Sequence, residues 1–376
     1  MKDTELRAAP AAARNSALEL LRIAAMVMIV LSHVCVHSGF DKWNMPVSLN
    51  RIFIQWGNLG NLGVDIFVMI SGYFLCAKEK PTRSLGKLLV QVWFYSVALF
   101  IVCWLGFGYS YAKKDLLEVL LPTVFNEYWF FTAYFVLLII SPYLNMFLAQ
   151  ASKEVMQKLL LALVILWVLI PTFLSQGMYL SEVPQFVLFY MIGAYFRKYP
   201  DNCFRNRKVR MMVTVFSFVM LFSSTVVFEL LGTKIAFFAH KGTFFYGRSA
   251  LPVVGCAVGL FAVAIYAKPF TSRFINTVAG CTFGVYLIHD NPAVRKILWK
   301  QLLPNAQLSE SPFLIPGILA STAIVFVCTV GIELLRQKTV AKPMLQIYEK
   351  VKALLWRAGK ACWTGVAVKL QKFLRK

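Results

Sequence analysis

Ten apolar stretches of about 17–25 residues recur along this chain. They lie near 17–38, 58–76, 88–108, 126–148, 159–175, 183–197, 211–231, 248–267, 276–299 and 312–335. A helix of about 20 residues is as long as the hydrocarbon core of a bilayer is thick. In that medium a segment must satisfy its own backbone hydrogen bonds, and a helix does so. The expected fold is therefore all-α: a polytopic membrane bundle of about ten helices with no soluble domain. Composition agrees. Hydrophobic residues make up 59% of 376 and charged residues 15%, against about 25% charged in soluble domains. Mean hydropathy is +0.65. The sixth stretch is short, and the ninth carries polar residues at its end.

The net charge of +22 does not mark a nucleic-acid binder, because the basic residues sit between the apolar stretches and in the tail. Lys2, Arg7 and Arg14 precede the first stretch, and Lys78, Lys80, Arg83 and Lys87 follow the second. Lys153 and Lys158 follow the fourth, the run from Arg197 to Arg210 the sixth, and Lys268 and Arg273 the eighth. Ten alternating spans put all of these on one side, which the positive-inside rule makes cytoplasmic. The loop near 176–182 has no Lys or Arg. The chain thus divides into an N-terminal tail (1–16), a membrane domain (17–335) and a basic tail (336–376). Both ends are expected in the cytoplasm of a cell in whose inner membrane the protein sits. The tail sets eleven Lys or Arg against Glu349 alone. Its apolar Leu345, Tyr348, Val351, Leu354 and Leu355 recur at helical spacing, as in helices lying on anionic lipid. The eight cysteines are scattered singly and read as buried small hydrophobes, with no disulfide framework and no metal. No cleavable signal is expected, since the Ala-rich start runs into a full-length span. The chain shows no internal repeat, which weighs against an inverted-repeat transporter.

Within the first stretch Arg22 and His33 stand eleven residues apart. Eleven steps of about 100° return within roughly 20° of the start, so both lie on one helix face, about 16 Å apart along the axis. An ionisable residue within a span costs roughly 2.5–3.5 kcal/mol or more. Two on one stripe point to a polar chamber, with Arg22 near one membrane surface and His33 deep or beyond the midplane. His33 suits a general base. His37 follows one turn on; two histidines at that spacing suit a metal, but no third ligand is apparent, and His37 is read as a substrate contact or a hydrogen-bond partner. Arg22 also has Glu19 at i−3 as a partner.

Four runs carry a resemblance. Leu20-Leu21-Arg22, ten residues, then His33 resembles the opening signature of the membrane-bound acyltransferase-3 family. Gly63-Val-Asp-Ile-Phe-Val-Met-Ile-Ser-Gly-Tyr-Phe74 is similar to its second-span signature. Tyr128-Trp-Phe-Phe-Thr-Ala-Tyr134, running on to Ser141-Pro-Tyr-Leu-Asn145, resembles the fourth-span pattern of its surface-polysaccharide branch. Thr282-Phe-Gly-Val-Tyr-Leu-Ile-His289-Asp-Asn-Pro292 resembles its late-span signature. The four stand in order between about residues 18 and 300.

The resemblance implies about ten helices and transfer of an acyl group, commonly acetyl from acetyl-CoA, to a sugar hydroxyl. No tightly bound cofactor is implied. His33 matches the family's essential histidine and Arg22 its first-span arginine. Many relatives carry Arg-x-x-Arg after the second span; here Arg83 is followed by Ser-Leu-Gly and Lys87, and lysine loses bidentate phosphate geometry. Coenzyme A is a polyanion, and the expected cations for it are Arg83, Lys87, Arg207 and Arg210, with topology as their other role. Asp65 could orient a histidine, bind an acceptor hydroxyl or cap a helix. Tyr128 and Trp129 could stack on a sugar or on adenine, or belong to an interfacial belt. Glu127, Arg248 and His289 are polar groups at span edges, with His289 taken as a substrate contact. The rival reading from another class is a transporter or flippase of glycolipid precursors; a lipid-modifying acyltransferase is a third.

Overall fold

The computed structural model describes residues 15–174, 182–354 and 356. Lys2, Arg7 and Arg14, most of the loop near 176–182, Leu355 and the tail from 357 lie outside the described residues. Among the described residues there are helices and no strands. Seven helical segments are long and apolar enough to cross a membrane: Ser16–His37, Leu49–Leu75, Pro81–Gly106, Trp129–Gln150, Lys153–Phe173, Arg207–Gly232 and Leu314–Thr339.

In chain order the first is α1 (Ser16–His37), capped by the Asn15 side chain on the Ala17 N–H. The second is bent: α2 (Leu49–Trp56) and α3 (Gly60–Leu75) meet across Gly57–Leu59, so this span begins earlier than the apolar window suggests. α4 (Leu85–Ile101) ends in a π-helical turn, Val102–Gly106. A short surface helix, α5 (Lys113–Leu120), precedes α6 (Trp129–Gln150). Then come α7 (Lys153–Val164), α8 (Ile170–Leu174), α9 (Glu182–Lys198), α10 (Arg207–Gly232) and α11 (Leu251–Ile265).

The ninth apolar window is broken into α12 (Arg273–Ala279), α13 (Thr282–His289) and α14 (Pro292–Ile297). The break before α14 has a local cause. Pro292 lacks the N–H that would continue the ladder, and the Asn291 side chain caps Ala293 and Val294 instead. The last long helix is α15 (Leu314–Thr339), followed by helical residues 341–354.

The core is built on α1, α3 and α9. α3 and α9 cross at Gly72 and Gly193, where a Cβ on either would collide with the Tyr190 or Met69 carbonyl of the other helix. Small residues let backbones approach this closely in a medium that supplies no hydrophobic drive between helices. A Cβ on Gly63 would lie 2.5 Å from the Ala25 carbonyl oxygen of α1.

Buried Glu333 of α15 ties three helices together. It accepts from Tyr95 Oη at 2.6 Å and Gln91 at 3.2 Å on α4, and forms two 2.8 Å bonds with Arg336. Gly284 of α13 lies against its side chain.

Loops that the charge pattern groups together do meet at one face. Ser16 N–H bonds the Phe270 carbonyl, Tyr266 bonds the Pro200 carbonyl and Lys198 bonds the Ala151 carbonyl. At this face Tyr348 of the tail helix rests against Gly86.

Candidate functional site

A cavity of about 620 Å³ follows the polar stripe of α1. Near the N-terminal end of α1 it is lined by Glu19, Arg22, Lys78, Ser84 and Gly280; towards the other end it is lined by His33, His37, Asn58 and Asn61. Phe67, Trp129, Phe130 and Tyr134 form apolar wall between them. The helical spacing of Arg22 and His33 thus puts both on one chamber. Arg22 holds Glu19 at 2.6 Å, as the i−3 spacing allows.

His33 Nδ1 lies 2.9 Å from Nε2 of buried His289. His289 Nδ1 in turn lies 2.6 Å from the Val285 carbonyl oxygen. A carbonyl oxygen accepts and cannot donate, so His289 carries its proton on Nδ1 and offers a lone pair at Nε2. His33 must then donate from Nδ1, which leaves the lone pair of a neutral His33 on Nε2. Asp290 Oδ1 stands 3.6 Å from the same His33 Nδ1 and 3.3 Å from Arg295. An imidazolium at His33 would therefore have the Asp290 carboxylate, itself paired with Arg295, beside its Nδ1–H.

His37 lines the same chamber, its ring centroid 5.1 Å from that of His33. The third metal-ligand type that spacing alone does not reveal is Asp290: ligand atoms of His33, His37 and Asp290 all lie within 4.8 Å of one another.

The other candidates part company. Trp129 lines the chamber, with the Arg248 guanidinium 4.5 Å from its ring centroid; Arg248 also pairs with Glu182 at 3.6 Å. Tyr128 is buried behind it, its hydroxyl accepting from Asn291 at 2.9 Å, so it braces the wall and does not line the chamber. Asp65 is fully buried, lines neither the chamber nor a helix start, and has no hydrogen-bond partner on either oxygen among the described residues. Arg83 and Lys87 are exposed beside the lining residue Ser84. Arg207 is exposed, and Arg210 donates to the Phe204 and Arg205 carbonyls against the Tyr266 ring; neither lines the chamber. Lys78 does, which sequence reading placed in the right loop without singling it out. Asp290 and Asn291 were also passed over, although both stand in the quoted run ending at Pro292. Their signal was adjacency to His289.

A family model described as an acyltransferase domain, of the acyltransferase-3 type, matches residues 15–331. The chain belongs to that family and is a membrane acyltransferase. No curated protein and no solved structure matches it.

Proposed function

We propose that the protein moves an acyl group, acetyl being the expected one, from coenzyme A thioester to a hydroxyl of a cell-surface polysaccharide or its lipid-linked precursor. One observation carries the reading: the imidazole of His33, its lone pair fixed on Nε2 by His289, stands in a chamber whose other end is lined by Arg22 and Lys78. Coenzyme A, a polyanion, docks at the Lys78 end, where Arg83 and Lys87 flank the mouth and Arg207 and Arg210 add positive potential on the same face. Its acyl-bearing arm extends along α1, whose Arg22-to-His33 span covers about 16 Å. The acceptor enters from the end lined by Asn58, Asn61 and His37.

His33 Nε2 takes the proton of the acceptor hydroxyl as its oxygen attacks the thioester carbonyl. The C–O bond forms, the C–S bond breaks, and the departing thiolate takes the proton from the imidazolium. Base catalysis of this kind contributes roughly 10²–10⁴-fold. The membrane is the cytoplasmic one, with the basic loops and tail on the cytoplasmic side against anionic lipid.

The test is thiol release from acetyl-CoA by purified protein in nanodiscs, with crude envelope glycan as acceptor. Wild type is expected to release thiol only when glycan is present, and His33→Ala to release none while remaining folded. Equal release by a folded His33→Ala protein overturns the assignment of the base. Glycan movement across proteoliposomes without loss of thioester would favour a transporter instead.

A further inference from the structure

A second cavity, of about 140 Å³, opens beside the turn that follows α4. Tyr109 and Tyr111 form one wall, their ring centroids 4.8 Å apart, with Phe100 behind Tyr111 at 4.4 Å. Lys296 of α14 closes another side and donates to Tyr109 Oη at 2.8 Å. Three carboxylates, Asp115, Glu118 and Glu127, line the remainder. They are three of only 17 acids in a chain of net charge +22.

Glu127 is fixed by Ser96 at 2.7 Å and by the Asn291 amide at 3.2 Å. Asp115 caps α5 by accepting from the Ala112 N–H at 2.8 Å. Glu118 has no hydrogen-bond or ion-pair partner among the described residues. The floor, Asn291, immediately follows Asp290, so one short segment, 289–291, has the His33 imidazole on one side and this cavity on the other.

The volume equals that of roughly four or five waters at about 30 Å³ each. That is room to seat part of one sugar ring, the rest standing in the opening, and far too little for a coenzyme. Aromatic faces beside fixed carboxylates and an amide suit a ligand with apolar C–H faces and several hydroxyl donors. Three acids against one lysine suit a neutral or amine-bearing ring and repel an acidic one.

From these features we infer that this cavity is a subsite receiving one neutral or amine-bearing sugar ring of the acceptor, beyond the ring that is acylated. The inference rests on the reading that the acceptor is a glycan.

Photo-crosslinking with the full chain in zwitterionic nanodiscs tests it. The probes are a diazirine-tagged N-acetylglucosamine tetrasaccharide, its de-N-acetylated counterpart and a tetragalacturonate of the same length. The first two are expected to label peptides covering 107–120 or 290–300, and the third to leave them unlabelled. Tyr111→Ala should cut labelling about fivefold through loss of the aromatic contact. Glu118→Lys, a surface change that does not disturb packing, should lower labelling by the amine probe and admit the galacturonate.

Labelling of these peptides by the galacturonate as strongly as by the other probes overturns the inference. So does labelling confined to other peptides, or absent altogether, and so does indifference to both substitutions. His33→Ala protein should be labelled like wild type. Binding with no thiol release would therefore leave the subsite standing and remove the acyl-CoA reading, while thiol release with no labelling would do the reverse.

Discussion

His33 and His289 are 256 positions apart in the chain, yet their ring nitrogens lie 2.9 Å apart. The pair converts the Val285 carbonyl into a tautomer selector: the carbonyl fixes the proton on His289, and His289 fixes it on His33. In the proposed reaction a His33 whose lone pair is already on Nε2 does not have to redistribute protons before it acts.

Replacing His289 with Phe removes the acceptor that holds the His33 proton on Nδ1 and opens the other tautomer to it. That hydrogen bond, worth about 0.5–1.5 kcal/mol, is what favours the reactive tautomer, so kcat should fall by about two- to tenfold. KM for the donor should stay near the wild-type value, because His289 lies behind the imidazole. Steady-state kinetics on folded His289→Phe protein check this; an unchanged kcat would discard the tautomer argument.

Asp290→Asn keeps the shape and removes the charge that stabilises an imidazolium at 3.6 Å. Arg295, 3.3 Å from Asp290, then opposes protonation unbalanced. A fall in kcat of about tenfold or more is expected. Arg295→Met in the same background should recover part of it. A double-mutant cycle reads the coupling directly.

Because His33, His37 and Asp290 present ligand atoms within 4.8 Å of one another, added zinc should inhibit by occupying the His33 imidazole. Chelation should restore the rate. The zinc concentration for half inhibition, taken against each protein's own metal-free rate, should rise in His37→Ala. Inhibition that neither EDTA reverses nor His37→Ala weakens would place zinc elsewhere.

How much of this was visible in the linear chain depends on the distance over which each signal acts. The periodicity of α1 is local, and it puts Arg22 and His33 on one chamber. Lipid-spanning length is local too, so the apolar windows are helical, although among the described residues α11 and the pieces of the ninth window fall short of a full crossing. What meets His33 is not local. Asp290 is the residue at which α13 ends, and nothing in a helical repeat says which distant helix end a histidine will find. Tyr128 and Trp129 are neighbours of similar chemistry, and only packing makes one a buried brace and the other a chamber wall. Asp65 shows the same limit: its place in a signature run does not reveal that both its oxygens are buried without a hydrogen-bond partner among the described residues.

The crossing of α3 and α9 predicts a strict requirement for glycine. Gly72→Ala or Gly193→Ala puts a methyl into a carbonyl of the facing helix, and backbone there has no rotamer by which to yield. Overpacking typically costs about 1–3 kcal/mol or more. Each variant should unfold at lower temperature in detergent and lose the monodisperse peak on size-exclusion chromatography. Wild-type behaviour of both would mean the helices separate freely.

Glu333→Ala should strand Arg336, which is buried beside it. Breaking a buried pair costs about 3–5 kcal/mol, whereas replacing both partners with apolar residues is often close to neutral. The double variant Glu333→Met with Arg336→Leu should therefore be more stable than Glu333→Ala alone. Thermal unfolding of the two decides it, and equal losses would mean that the charge pair is not what the helices depend on.

The chamber along α1 touches Lys78 at one end and Asn58 at the other, and that shape has a consequence for logistics. A donor confined to one compartment and an acceptor confined to the opposite one need to share nothing but a single imidazole. Under the proposed reaction the acyl group alone changes compartment, and neither the coenzyme nor the glycan requires a separate permease.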